Sequence, residues 1–217
     1  MQNGYAVLRA EFPQTLTDAL VADAQRHEFR LWSPGKGGAF ALAALDEPGA
    51  PREAAAWLSR AAADHGFAGF TPNEVSYQRY TAGGNGIPPH RDQRYYAACI
   101  GIITLRGSAT FAVHGSRDRD DVVDEWTTGP GEVILLRGWS PDPDSDPRPY
   151  HRIDPPTSGE RLMFQARRNL AAPPPSPWAE HLTQEEAQQA SRLVGATPVL
   201  RSATGGSGPA ADDPPRR

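Results

Sequence analysis

The sequence predicts a mainly β protein of the α+β class, an antiparallel sandwich or barrel such as a jelly roll preceded by N-terminal helices. Three observations predict it. Short β-prone runs follow one another from Asn73 onward, clusters of Gly, Pro, Asp and Ser separate them, and helical periodicity dominates the first seventy residues.

In "TLTDALVADAQRHEF", Leu16, Leu20, Val21 and Ala24 share one helical face. "PREAAAWLSRAAADHG" opens with Pro51 in its first turn and closes at Gly66, the usual asymmetry of helix ends. Between them "SPGKGGAFALAALDEPGAP" reads as a connection with room for one short strand. The β-prone runs lie at 75 to 80, 95 to 105, 109 to 114, 132 to 138, 149 to 153 and 161 to 167. "LAAPPPSPW" then reads as a stiff linker, and "TQEEAQQASRLVG" as a helix with Thr183 and Glu186 forming a capping box. The expected division is a helical extension (1–72), a β core (73–170), a linker with a C-terminal helix (171–195) and a small-residue, polar tail expected to be disordered (196–217).

With 217 residues, one catalytic core is the expected size. A net charge of -4 carries no bulk signal for a polyanionic partner. Cys99 is the only cysteine, so an internal disulfide and a cysteine-based zinc cluster are excluded, and Cys99 reads as a small buried apolar residue. The N-terminus lacks an apolar leader-like run and no stretch has the roughly 18 apolar residues of a membrane span, so a soluble cytoplasmic protein is expected.

The chemistry-bearing residues begin at "IPPHRDQRYY". His90 and Asp92 stand two apart on an extended segment, so both side chains point to one side and converge on one ion. His151, 61 residues later in another short strand, supplies a third ligand. Two histidines and a carboxylate make the facial triad of non-haem Fe(II) sites. Farther on, Arg161 and Arg167 in "ERLMFQARRN" have the even spacing that puts them on one face of a strand. An inward arginine in a β core is costly without an anion, and a dicarboxylate is a suitable one. The competing readings are a turn-stabilising hydrogen bond at His90 and Asp92, a satisfied strand histidine at His151, and surface charge pairs at the arginines. A one-residue slip would put Arg168 in place of Arg167. His114 ends a core strand, where it either lines the pocket or is structural.

The chain resembles the Fe(II)- and 2-oxoglutarate-dependent dioxygenases, and among them the AlkB-like branch. The resemblance covers Asn73 to Asn169 through "SYQRYTAGG", "HRD", "IITLRGSATFAVH", "GPGEVILLRGW", "YH" and "RLMFQAR". It implies a double-stranded β-helix, iron held by His90, Asp92 and His151, and 2-oxoglutarate held by Arg161 and Arg167. Tyr80 is implied as a further contact to that co-substrate, with plain core packing as its competing reading. Gln78 stands where the family has asparagine.

The implied reaction consumes O2 and 2-oxoglutarate, releases succinate and CO2, and hydroxylates a C–H bond. Acidic segments at 116 to 126 and 140 to 148, assigned to the mouth, argue for a small-molecule substrate over nucleic acid, since nucleic-acid binding asks for a cationic rim. Arg79, Arg106 and "HRDQRYY" argue the other way. The alternatives are an AlkB-type oxidative demethylase of alkylated bases and a non-catalytic cupin-like metal-binding protein.

Overall fold

A computed structural model of the protein describes residues 4–31, 38–140, 146 and 148–170. The linker, helix and tail expected after residue 170 lie outside the described residues. Two helices, α1 (Gln14–Ala24) and α2 (Ala50–Asp64), alternate with three short strands, β1 (Tyr5–Leu8), β2 (Arg30–Leu31) and β3 (Gly38–Ala43). Eight strands follow: β4 (Glu74–Thr81), β5 (Ile87–His90), β6 (Tyr96–Arg106), β7 (Ala109–His114), β8 (Val122–Thr128), β9 (Val133–Arg137), β10 (Tyr150–Ile153) and β11 (Glu160–Asn169).

They form two sheets, one of seven strands in the order β1-β9-β6-β11-β4-β3-β2 and one of four in the order β5-β10-β7-β8. From β4 to β11 the chain passes repeatedly from one sheet to the other, and all named pairings are antiparallel. The result is a jelly roll of the double-stranded β-helix kind. Both helices expected from periodicity are present. The same region also adds three strands to the seven-stranded sheet, so it is not a purely helical extension. β3 occupies the connection that left room for one short strand, while β1 and β2 carry little pattern of their own; β1 pairs with β9, β3 with β4 and β2 with β3.

The seven-stranded sheet is covered on both faces, which explains its near-continuous apolar runs. On one face Leu162, Phe164, Ala166, Ile103 and Leu135 pack against α1 and α2. Gly101 permits this approach, because a Cβ there would lie 2.9 Å from Leu58 Cδ2 of α2. On the other face Ile100, Ile102, Ile134 and Met163 meet Phe111, Val113 and Ile153 of the four-stranded sheet. Gly86 leads into β5 with φ +61°, and a Cβ there would sit 2.3 Å from the Ile153 carbonyl oxygen. That glycine lets β5 lie close against β10. Cys99 is buried in the helix-side core, as expected. No helix among the described residues is long and apolar enough to cross a membrane.

Candidate active site

His90 ends β5 and His151 lies directly opposite it in β10, their ring centroids 4.3 Å apart. Phe111 of β7 stacks on the His151 ring at 5.7 Å. Each histidine turns its Nδ1 to a proline carbonyl two residues back, His90 to Pro88 at 2.9 Å and His151 to Pro149 at 3.2 Å. A carbonyl can only accept, so Nδ1 carries the hydrogen in both and Nε2 keeps its lone pair. Asp92 follows β5 by two residues, with Oδ2 at 3.5 Å from His151 Nε2. One ligand atom from each of the three lies within 4.8 Å of the others.

Asp92 Oδ2 is buried and makes no hydrogen bond. A buried carboxylate oxygen beside two imidazole lone pairs is a costly arrangement that a divalent cation relieves, so the donor set fits the expected metal. Burial raises the Asp92 pKa, but His151, His90, Arg167 and Arg148 together outweigh it and hold the carboxyl below its ordinary value. Burial and neighbouring His90 push His151 down to about 4, against the pull of Asp92. Both groups are therefore in their ligating forms at neutral pH.

The depressed His151 value has a consequence for stability. Between the ordinary histidine value of 6.5 and about 4 the unfolded chain binds a proton that the native chain refuses, so stability falls as pH falls through that window. Unfolding of the metal-free protein followed from pH 7 to pH 4 is expected to lose about 3 kcal/mol from this residue. A flat profile would contradict a neutral, buried His151.

The facing wall belongs to β11. Arg161, Met163, Gln165 and Arg167 line the same cavity of about 370 Å³ as the three ligands, while the intervening residues face the helices. The even-spacing argument thus puts Arg161 and Arg167 on one face as expected. Arg168 is half-buried beyond a register shift and does not line the cavity, so the one-residue slip is excluded.

The two arginines differ in their partners. Arg161 is 1% exposed, and its Nε and Nη2 donate to the hydroxyls of Thr128 at 3.2 Å and Thr104 at 2.9 Å. Among the described residues its Nη1 meets the Met163 sulfur, at 2.8 Å. No carboxylate pairs with it among the described residues, and burial pulls its pKa to about 10, with Tyr80 and Glu132 opposing. Arg167 already has an anion: Nη1 donates to Glu74 at 2.9 Å and to the Tyr96 hydroxyl at 3.1 Å. Its Nη2 donates to Gln165, and its Nε is buried without a partner.

Tyr80 lies opposite Arg161 in register, lines the cavity and donates to Gln78 Oε1 at 3.1 Å. Gln78 in turn donates to Gln165, so a chain of amides runs across the cavity floor toward Arg167. His114 does not line the cavity. Its Nδ1 donates to the Asp118 carbonyl at 3.1 Å and its Nε2 accepts from Arg152, with Glu125 beyond.

The acidic segments also differ from expectation. Residues 122 to 126 belong to edge strand β8, and no residue of 116 to 126 lines the cavity. Asp146 is neutralised by Arg148 and Arg91. Arg79 and Arg106 sit away from the cavity, beside Phe29 and Glu160. The residues that sequence reasoning missed are Thr104, Thr128, Gln165, Glu74, Asp146 and Arg148. Residue type marks none of them, because each acts through a partner distant in sequence.

No family model matches the sequence, and no curated protein does. Solved structures share the fold. A prolyl-4-hydroxylase from Pseudomonas putida superposes with a TM-score of 0.57 at 16% identity, over 77% of this chain and 94% of that one. OsALKBH1 gives 0.57 at 14% identity over 77% and 99%. A Trichoplax adhaerens prolyl hydroxylase, solved with a peptide fragment of the hypoxia inducible factor, gives 0.57 at 13% over 76% and 84%. Likeness at these identities establishes the common fold.

Proposed function

We propose that the protein is an Fe(II)- and 2-oxoglutarate-dependent oxygenase that hydroxylates a C–H bond of a small organic substrate and releases succinate and CO2. The observation that carries this reading is the buried Arg161, which no carboxylate pairs with among the described residues, in one cavity with a His-Asp-His ligand set. A metal site alone fits many functions; a guanidinium waiting for a carboxylate on the opposite wall fits a co-substrate that spans both.

Bound Fe(II) with 2-oxoglutarate supplies the activation of O2 and the oxidising power for the C–H bond. The chain's own residues do the rest. His90, Asp92 and His151 would hold the metal. Arg161, aimed by Thr104 and Thr128, would take the far carboxylate, with Tyr80, whose hydroxyl donates to Gln78, lining the cavity beside it. Arg167 adds positive potential near Asp92 and, through Nε, one further donor. Ile102, Phe111 and Met163 exclude water from the space between the sheets.

Charge balance supports the same reading. Asp92 and Glu74 offset Arg161 and Arg167, so a divalent cation and a dianion together would leave the charge of these four side chains balanced. The test is anaerobic binding of 2-oxoglutarate to the Mn(II)-loaded protein, followed by succinate release when Fe(II) and O2 are supplied. Metal-dependent binding and succinate are expected; a metal-loaded protein that ignores 2-oxoglutarate would sink the proposal and favour a cupin-like binder.

Oxidative demethylation of alkylated bases is the second reading, favoured by Arg91 stacked on Tyr150 at the cavity and by the likeness to OsALKBH1. It requires affinity for single-stranded oligonucleotides that falls steeply with salt.

A further inference from the structure

The segments that carry Asp92 and His151 are clamped together by two arginines. Arg148, three residues before His151, is only 8% exposed. Its Nε donates to Asp146 Oδ1 at 2.7 Å and its Nη2 pairs with the second carboxylate oxygen, a two-pronged contact that fixes the plane of the guanidinium. The remaining Nη1 donates to the backbone carbonyl oxygen of Asp92. From the other segment, Arg91 reaches Asp146 Oδ2 at 3.3 Å and lies 4.2 Å from the centre of the Tyr150 ring. Each ligand-bearing segment therefore sends an arginine across to the other, and Asp146 receives both.

Asp92 is the ligand that needs such a tether. The two imidazoles are oriented by carbonyls of their own segments, Pro88 and Pro149. Asp92 lies beyond the last residue of β5, where the strand ladder has ended, and its buried Oδ2 receives no hydrogen bond. Among the described residues, the bond from Arg148 is the one that holds its backbone.

We propose that Arg148, locked by Asp146, is a positioning residue that holds Asp92 in its metal-binding geometry, with Arg91 closing the same clip from the ligand side. This rests on the metal site proposed above. Outer partners of metal ligands typically change affinity by about 10- to 100-fold when removed.

The test uses the full chain and Mn(II) as probe, with free Mn(II) followed by electron paramagnetic resonance and the metal-free melting temperature recorded beside it. Arg148→Gln is expected to weaken Mn(II) binding by about 10-fold or more and to alter the bound-Mn(II) spectrum. Arg148→Lys should recover part of the loss, because an ammonium can still donate to the Asp92 carbonyl. Asp146→Asn, at a side chain 24% exposed, frees both arginines and should weaken binding as well, and it decides the matter if Arg148→Gln fails to fold. Arg91→Gln combined with Arg148→Gln should cost less than the sum of the two, since both act through Asp146. Wild-type protein that does not bind Mn(II) removes the metal reading itself. Wild-type binding matched by Arg148→Gln or Asp146→Asn overturns the clip and leaves the metal reading intact.

Discussion

A chain carrying Asp92→Ala and His151→Ala together is expected to bind no Mn(II) or Fe(II) at micromolar protein and to release no succinate. Two of three ligands are gone, and His90 alone is an ordinary weak imidazole site. The double variant also removes the residue that resists protonation, so the loss of metal-free stability below pH 6.5 should shrink. The two readouts move in opposite directions: binding disappears while acid tolerance improves. That combination identifies a ligand site rather than a structural hydrogen bond, because removing a structural bond would lower both. Metal binding equilibria and unfolding at pH 5 measure them separately, and undiminished turnover in the double variant excludes the triad.

Arg161→Leu carries the second large effect. No carboxylate pairs with its guanidinium among the described residues, so burying it costs free energy that a shorter apolar side chain does not incur. The metal-free variant is therefore expected to melt at or above the wild-type temperature. The same change removes the charge proposed to meet the co-substrate's far carboxylate, an expected loss of about 3 kcal/mol, or roughly a hundredfold in half-saturating 2-oxoglutarate. Arg161→Lys should fall between, keeping the charge and losing the fork. An unchanged co-substrate titration would remove Arg161 from the site, and a large fall in melting temperature would mark it as structural instead.

Much of this site was legible in the sequence because the chemistry follows strand geometry. Arg161 and Arg167 at i and i+6 obey the two-residue period of a strand, whereas Asp92 reaches His90's side from just beyond the end of β5, and the jelly roll brings the two sets together. Other features were not legible for equally physical reasons. Strand β8 is an exposed edge in which Val122, Val123, Asp124 and Glu125 are all solvent-facing, so neither alternation nor an apolar run marks it. Strands β1 and β2 are short and acquire their conformation from pairing with β9 and β3, whereas β3 lies in the connection that left room for one short strand. The difference between Arg161 and Arg167 is invisible to spacing; it depends on Glu74, which stands opposite Arg167 and not opposite Arg161. Arg148 sits in "DSDPRPYH", where an arginine after acidic residues reads as solvated charge, and only the fold reveals the carbonyl it holds.

The placement of the site between two sheets has a last consequence, for length. The histidines hang from the four-stranded sheet and Arg161 from the seven-stranded one, so any molecule touching both must span a gap that Ile102, Phe111 and Met163 hold open. Packed sheets keep a separation of about 10 Å because their side chains interdigitate and resist compression. The apolar core therefore serves as a gauge: its packing sets the span that a single proposed co-substrate would have to bridge between the histidines and Arg161.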